Sequence, residues 1–301
     1  MLTPEAGDLD LAVRAAWLYY EDGLTQAQVA SRLYVSRQTV GRLLETARQQ
    51  GIVRIEMDAN YLAALDLATQ LRERTPLTDA VVVPMLSGPM SRERTNERVA
   101  AALAAYARRY LHPGVVVGVG WSDTVARALT MLSAESLDGV TLASAAGTID
   151  NVAELVSENP AAVRRLRTVP SPMFVSSAEL AESLRTEDAV AQVFDLARSA
   201  TLTLTGVGAV RPGGSAVRTG MVTDDDVAAY AAAGAVGDML GHWFGRRGEE
   251  ISGSASDRSV SLSLAELRAL PNVVGVAAGA EKVEAIRGAI AGRYLDVLVT
   301  D

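Results

Sequence analysis

The chain has 301 residues and a formal net charge of −8; 49% of it is hydrophobic but only 5% aromatic, so Ala, Val and Leu must build the core. It has no cysteine, which excludes disulfide staples, thiolate catalysis and Cys-ligated metal sites. No apolar run approaches the roughly 18 residues that span a bilayer, and the polar start MLTPEAGDLD does not read as a signal peptide. The expectation is a cytoplasmic chain with no membrane partner, long enough for one small and one large α/β domain.

The first predicted elements are short helices. Val13, Ala16, Trp17 and Tyr20 fall on one apolar face, and Gly23 lets that helix end. Thr25 with Gln28 three residues later makes a capping box for a helix through Leu33. Tyr34-Val35 forms a tight turn and Ser36 caps the next helix, whose apolar back is Val40, Leu43, Leu44 and Ala47 before Gly51 stops it. Ile52–Met57 alternates apolar and polar residues and predicts a wing-like strand.

Two short capped helices joined by a tight turn have the geometry of a helix-turn-helix, whose second helix enters the DNA major groove. That helix opens with Ser36, Arg37, Gln38, Thr39 and, one turn on, Arg42. Arg can fork onto guanine, Gln onto adenine, and Ser or Thr can hold phosphate. Thr25 and Gln26, at the start of the preceding helix, complete the candidate DNA-binding set. Across Thr25–Gln50 four arginines (Arg32, Arg37, Arg42, Arg48) face one acid, Glu45, leaving a net charge of +3 inside an acidic protein. The run LTQAQVASRLYVSRQTVGRLL at 24–44 resembles the DNA-binding domain of the SorC/DeoR-like sugar-responsive transcription regulators.

Residues 58–78 read as a helical linker, with Leu62, Leu65, Leu67, Ala68 and Leu71 at helical spacing and Pro76 closing it. The expected domains are therefore 1–57 for DNA binding, 58–78 as linker and 79–301 for effector binding. In the last, β-branched runs at Ala80–Pro84, Val115–Gly120, Val140–Ala145, Met173–Ser176, Thr201–Val207, Val273–Ala277 and Leu295–Thr300 predict buried strands. Helical stretches fall near 91–111, 122–134, 151–157, 177–184, 186–198, 223–233, 236–245 and 281–291. Such alternation predicts a Rossmann-like, mostly parallel sheet with helices on both faces.

Glycine-containing turns follow three of these strands, at Val117–Thr124, Ala146–Asn151 and Thr205–Gly208, where α/β folds place ligands. None is a Walker loop or a complete dinucleotide fingerprint, and no cofactor is expected. Asp238 stands among small and apolar residues, as a hydroxyl acceptor or a helix cap. Lys282 is the only lysine; it pairs with phosphate or lies on the surface. His112 and His242, the only histidines, read as structural or peripheral, and no HExxH, GxSxG or clustered metal-ligand spacing occurs.

From about 58 onward the chain resembles the sugar-binding domain of the same SorC-type family, in VGVGWSDT (117–124), GTIDN (147–151), GAVGDMLGHWF (234–244) and AAGAEKVEAIRGAIAGRYLDVLVTD (277–301). The resemblance implies a fold related to sugar-phosphate isomerases and deaminases, used for sensing. It also implies effector contacts at Gly120, Trp121, Ser122, Asp123 and Thr124, at Gly147 and Thr148, and at Asp238 and Lys282, with Arg218 as a further candidate. Gly279-Ala280 departs from the Gly-Gly of many relatives. The expected partners are a double-stranded DNA operator, a sugar, polyol or sugar-phosphate effector, and further copies of the chain in a dimer or tetramer. A sugar-phosphate isomerase or deaminase with a DNA-binding appendage, and an oligomeric scaffold with an empty pocket, are the alternatives. Asp123 argues against phosphate in the first loop, so free sugars and polyols stay open.

Overall fold

Side-chain caps set the helix boundaries at the N-terminus of the computed structural model, which describes residues 6–54, 58–84, 91–218, 220 and 222–301. Helix α1 is Ala6–Tyr20, α2 is Gln26–Leu33 and α3 is Arg37–Gln49. The Thr25 hydroxyl accepts the Gln28 N–H while Gln28 Oε1 accepts the Thr25 N–H at 2.9 Å, closing the capping box. Tyr34 takes the left-handed conformation (φ 57°, ψ 39°) that turns the chain, and Ser36 Oγ accepts the Thr39 N–H at 3.0 Å.

The core of these three helices is built from Ala12, Ala15, Ala16, Val29, Ala30, Val40, Leu43, Leu44 and Ala47. Of the apolar face expected on α1 only Ala16 is buried; Val13, Tyr20 and Trp17 are exposed, Trp17 by 62%. The alanine stripe is inside because small side chains let helices approach closely. The expected wing is not formed at Ile52–Arg54, and residues 55–57 lie outside the described residues.

The chain divides into two units, Met1–Asp58 and Ala59–Asp301. The second begins with α4 (Ala59–Arg74) and continues β1 (Asp79–Val82), α5 (Arg92–Arg108), β2 (Val116–Val119), α6 (Asp123–Thr130), β3 (Thr141–Thr148), α7 (Asp150–Ser157), α8 (Pro160–Arg165) and β4 (Leu166–Pro172). Then come α9 (Ala178–Thr186), α10 (Asp188–Arg198), β5 (Leu202–Gly206), β6 (Gly208–Ala209), α11 (Ser215–Arg218), α12 (Asp224–Ala232), β7 (Ala235–Met239) and β8 (His242–Gly245). The chain ends with β9 (Glu250–Ile251), α13 (Ser254–Asp257), α14 (Leu264–Ala269), β10 (Val273–Val276), a 3₁₀ turn (Ala280–Lys282), α15 (Val283–Ala291) and β11 (Val297–Thr300).

Seven strands form one parallel sheet in the order β1-β11-β10-β5-β2-β3-β4. From β2 the chain moves outward through β3 to β4, and from β5 it moves the other way through β10 to β11. The direction reverses between β2 and β5, and such a switch point leaves a crevice at the strands' carboxyl ends. Strands β10 and β11 are buried throughout, which explains why they carry Val and Leu with only Gly275 and Thr300 between or after them and no charged residue.

Two expected elements are corrected. The segment 236–245 is a β-hairpin, not a helix: β7 and β8 pair antiparallel through Leu240 (φ 53°) and Gly241 (φ 77°). Two successive residues with positive φ make the tight turn whose twist matches paired strands. The hairpin belongs to a four-stranded sheet, β6-β7-β8-β9. The strand expected at Met173–Ser176 lies earlier, at Leu166–Pro172, on the sheet's edge; there Pro170 and Pro172 are tolerated because one side needs no ladder donors.

Candidate functional site

In the first unit, the buried back of α3 forces its other face outward. Arg37, Gln38 and Arg42 are exposed, and among the described residues neither arginine has an ion-pair partner. Thr25, Ser36 and Thr39 carry the caps: Ser36 Oγ and Thr39 Oγ1 are 2.8 Å apart. Gln26 lines a shallow notch together with Arg37, Gln38, Gly41, Arg42 and Glu45. The outer face thus offers two free guanidinium groups and a free amide, the donors that read guanine and adenine edges.

In the second unit, a cleft of about 550 Å³ opens over the switch point. Its walls include Trp121, Ser122, Asp123 and Thr124 from the turn after β2, Gly206–Gly208 after β5, and Arg218, Asp238 and Lys282. The two central turns touch: a Cβ on Gly206 would lie 2.5 Å from Ser122 Cβ, and one on Gly208 would collide with the Asp238 carboxylate. Glycine at both positions keeps the crevice open to the backbone.

Ser122 caps α6, its Oγ accepting the Val125 N–H at 3.1 Å. The remaining first-turn amides and the positive helix end suit an anion or a hydroxyl. The repulsion expected from Asp123 is offset by Arg127, whose Nε lies 2.9 Å from the carboxylate. Trp121 lies along the wall, its indole N–H donating to the Ala146 carbonyl at 3.3 Å.

Asp238, on β7, and Lys282, at the 3₁₀ turn, are each only 9% exposed. Burial pushes the Asp238 carboxyl above its ordinary range, opposed by the Lys282 and His242 charges. Burial likewise pulls the Lys282 ammonium down, opposed chiefly by Asp238. Lys282 Nζ donates to the Val207 carbonyl at 2.8 Å, leaving further ammonium protons for a bound molecule. Among the described residues no hydrogen-bond donor or ion-pair partner reaches the Asp238 carboxylate. A buried acceptor and a buried donor sharing one polar cleft are arranged for a ligand with both kinds of group.

Three expected residues do not line the cleft. Gly120 lies beneath it, where a Cβ would meet Thr205 and Leu240. Gly147 and Thr148 end β3: Gly147 gives room for the Pro172–Met173 backbone, and Thr148 Oγ1 reaches the Val169 carbonyl only at 3.5 Å. Conversely, Arg92, Glu93 and Asn96 at the start of α5, with Arg127 and Leu240, join the walls. No motif marks the α5 trio; its one local signal is the Ser91 cap, whose Oγ accepts the Arg94 N–H at 3.3 Å where that helix starts. His242, on β8, is buried, with Nε2 3.1 Å from Ser261 Oγ, and does not line the cleft.

Among the described residues no helix is long and apolar enough to cross a membrane, and no cluster of acids and histidines is placed to hold a metal ion. Residues 59–301 match the family described as "Putative sugar-binding domain", and residues 15–60 match the MarR family. Transcriptional regulator LsrR of Klebsiella pneumoniae subsp. pneumoniae is 34% identical over 300 residues, covering 97% of this chain and 90% of the relative. The uncharacterized transcriptional regulator YjhU of Escherichia coli (strain K12) is 29% identical over 301 residues, covering 97% and 92%. The full-length sorbitol operon regulator SorC from Klebsiella pneumoniae superposes with a TM-score of 0.71 at 26% identity, covering 99% of this chain and 97% of that one. A DeoR family regulator from Listeria monocytogenes, at 21% identity and a TM-score of 0.69 over 79% of this chain and 96% of that one, shares the fold of the second unit. Helix-turn-helix, parallel sheet and family match coincide from residue 15 to 301: this chain belongs to the SorC-type family of sugar-binding transcriptional regulators.

Proposed function

We propose that this chain is an effector-responsive transcription regulator of carbohydrate metabolism, in which a sugar or sugar phosphate held in the switch-point cleft modulates operator binding by α3. The observation that carries the reading is that one chain bears both an exposed basic helix face with unpaired arginines and a cleft walled by buried Asp238 and Lys282. Asp238 accepts bonds from sugar hydroxyls. Lys282, with Arg92 and Arg218 around the same cleft, balances negative charge on the effector. Modulation requires that effector affinity differ between two states of the protein.

The chain acts as a sensor and not an enzyme: the cleft offers a buried acceptor and a buried donor for binding, and the relatives that span the chain are transcriptional regulators. It works in the cytoplasm as a dimer or tetramer, because operator half-sites related by two-fold symmetry need an even number of reading helices. Helix α4, next in the chain after the first unit, is the coupling element.

Fluorescence anisotropy of a labelled operator duplex, titrated with the full chain across a panel of sugars, polyols and sugar phosphates, tests this. One panel member is expected to shift DNA affinity and to be recovered unaltered. No shift with any of them would sink the gating, and conversion of the compound would restore the enzyme reading.

A further inference from the structure

Gly41 sits in the middle of α3, on the face that carries Arg37, Gln38, Arg42 and Glu45. A glycine inside a helix costs about 1 kcal/mol against alanine, through backbone entropy. Inside proteins that cost is usually offset by close packing, but not here: a Cβ at residue 41 would meet no atom within 4 Å. The apolar back of the helix, Val40, Leu43, Leu44 and Ala47, points the other way into the core. The space that a side chain would fill lies outside the protein, in the notch bounded by Gln26, Arg37, Gln38, Arg42 and Glu45, whose surface is mostly carbon.

We infer that Gly41 is the point of closest approach between α3 and bound duplex, where the helix backbone lies against the methyl edge of a thymine flanked by the bases that Arg37 and Arg42 read. This rests on α3 being the DNA-reading helix. In the major groove the thymine C5 methyl is the group that a C–H floor accepts without stranding a hydrogen-bond donor or acceptor. A side chain at 41 would lift the helix off the bases and lengthen the bonds of both arginines. Gly41 is thus a positioning residue, acting through the distance it sets.

The test uses the full chain and a duplex enriched by it from a random-sequence library. Gly41→Ala is expected to weaken binding to that duplex about tenfold or more, as a mismatch does, and Gly41→Leu to abolish it. The melting temperature of Gly41→Ala should rise or hold, because alanine fits the helical backbone there. Its salt dependence should match the parent, since no phosphate contact is lost. Replacing thymines one at a time by uracil should weaken the parent at one position per half-site and leave Gly41→Ala unaffected there.

Binding of Gly41→Ala within twofold of the parent, while Arg37→Ala loses the duplex, would overturn the inference and leave the DNA-reading role of α3 intact. A fall in melting temperature would overturn it by showing an internal packing role. Uracil accepted everywhere without loss would overturn the thymine assignment. Failure of the parent to enrich any duplex would overturn both the inference and the reading beneath it.

Discussion

The two units handle charge in opposite ways. The helix-turn-helix keeps its basic groups outside, with Arg37 and Arg42 free of ion-pair partners among the described residues, over a core of alanine, valine and leucine that does not involve them. The larger unit takes its one lysine and a carboxylate out of water and holds them at the rim of a parallel sheet. A surface reader can change its exposed residues with little cost to folding, because exposed substitutions typically move stability by under about 0.5 kcal/mol. A buried receptor cannot: each charged group is destabilising when unpaired, so binding and stability are coupled there.

The largest effect that sharpens this contrast is expected at Lys282. Lys282→Met should weaken the effector by about 2–5 kcal/mol, roughly 30-fold or more, as for removal of one partner of a buried charged hydrogen bond. Calorimetry with the panel compound the parent binds would measure it, while DNA affinity without effector stays unchanged. Next comes Arg37→Ala, which should lose about 1–3 kcal/mol of operator affinity, roughly 5- to 150-fold, with the melting temperature and effector affinity both normal. If its melting temperature fell by several degrees, the claim that the reading face is independent of the core would break. Ser36→Ala removes the α3 cap and should cost about 1 kcal/mol. Denaturation followed by circular dichroism would report this in the first unit, with the cleft unaffected.

The smallest expected effect is the most diagnostic of burial. Asp238 has its carboxyl raised, so between the ordinary carboxylate value and the raised one the folded chain holds a proton that the unfolded chain has released. Its stabilising contribution is complete at pH below about 4 and is lost as pH rises through the folded value. Asp238→Asn should therefore melt slightly higher than the parent at neutral pH, with the gap closing on acidification. It should also bind effector poorly. A variant that melted lower at neutral pH would show that Asp238 is held by partners and not poised for a ligand.

Much of this was legible in the residues. The caps at Thr25 and Ser36, the tight turn at Tyr34 and the apolar, β-branched runs of β2, β5, β10 and β11 are local signals, and each appears where its chemistry places it. Asp238 stood out as a polar residue among small and apolar ones and Lys282 as the only lysine, and the structure brings both to one cleft. The hairpin at 235–245 was misread because an apolar run interrupted by glycines has no decisive period; the pairing of two positive-φ residues, Leu240 and Gly241, chose the turn. The face of α1 was misread because hydrophobicity ranks Trp17 above Ala12, whereas helix packing selects by size.

By itself the sequence determined the capped helices, the buried parallel strands and the basic segment, since these follow from side-chain chemistry within a few residues. Only the tertiary structure decided which side of the switch point each turn occupies. It brought Arg92 and Asn96 of α5 to the same cleft as Asp238, and withdrew Gly147 into the β3–β4 contact. Those outcomes depend on strand order and on contacts between residues far apart in the chain, which no local pattern encodes.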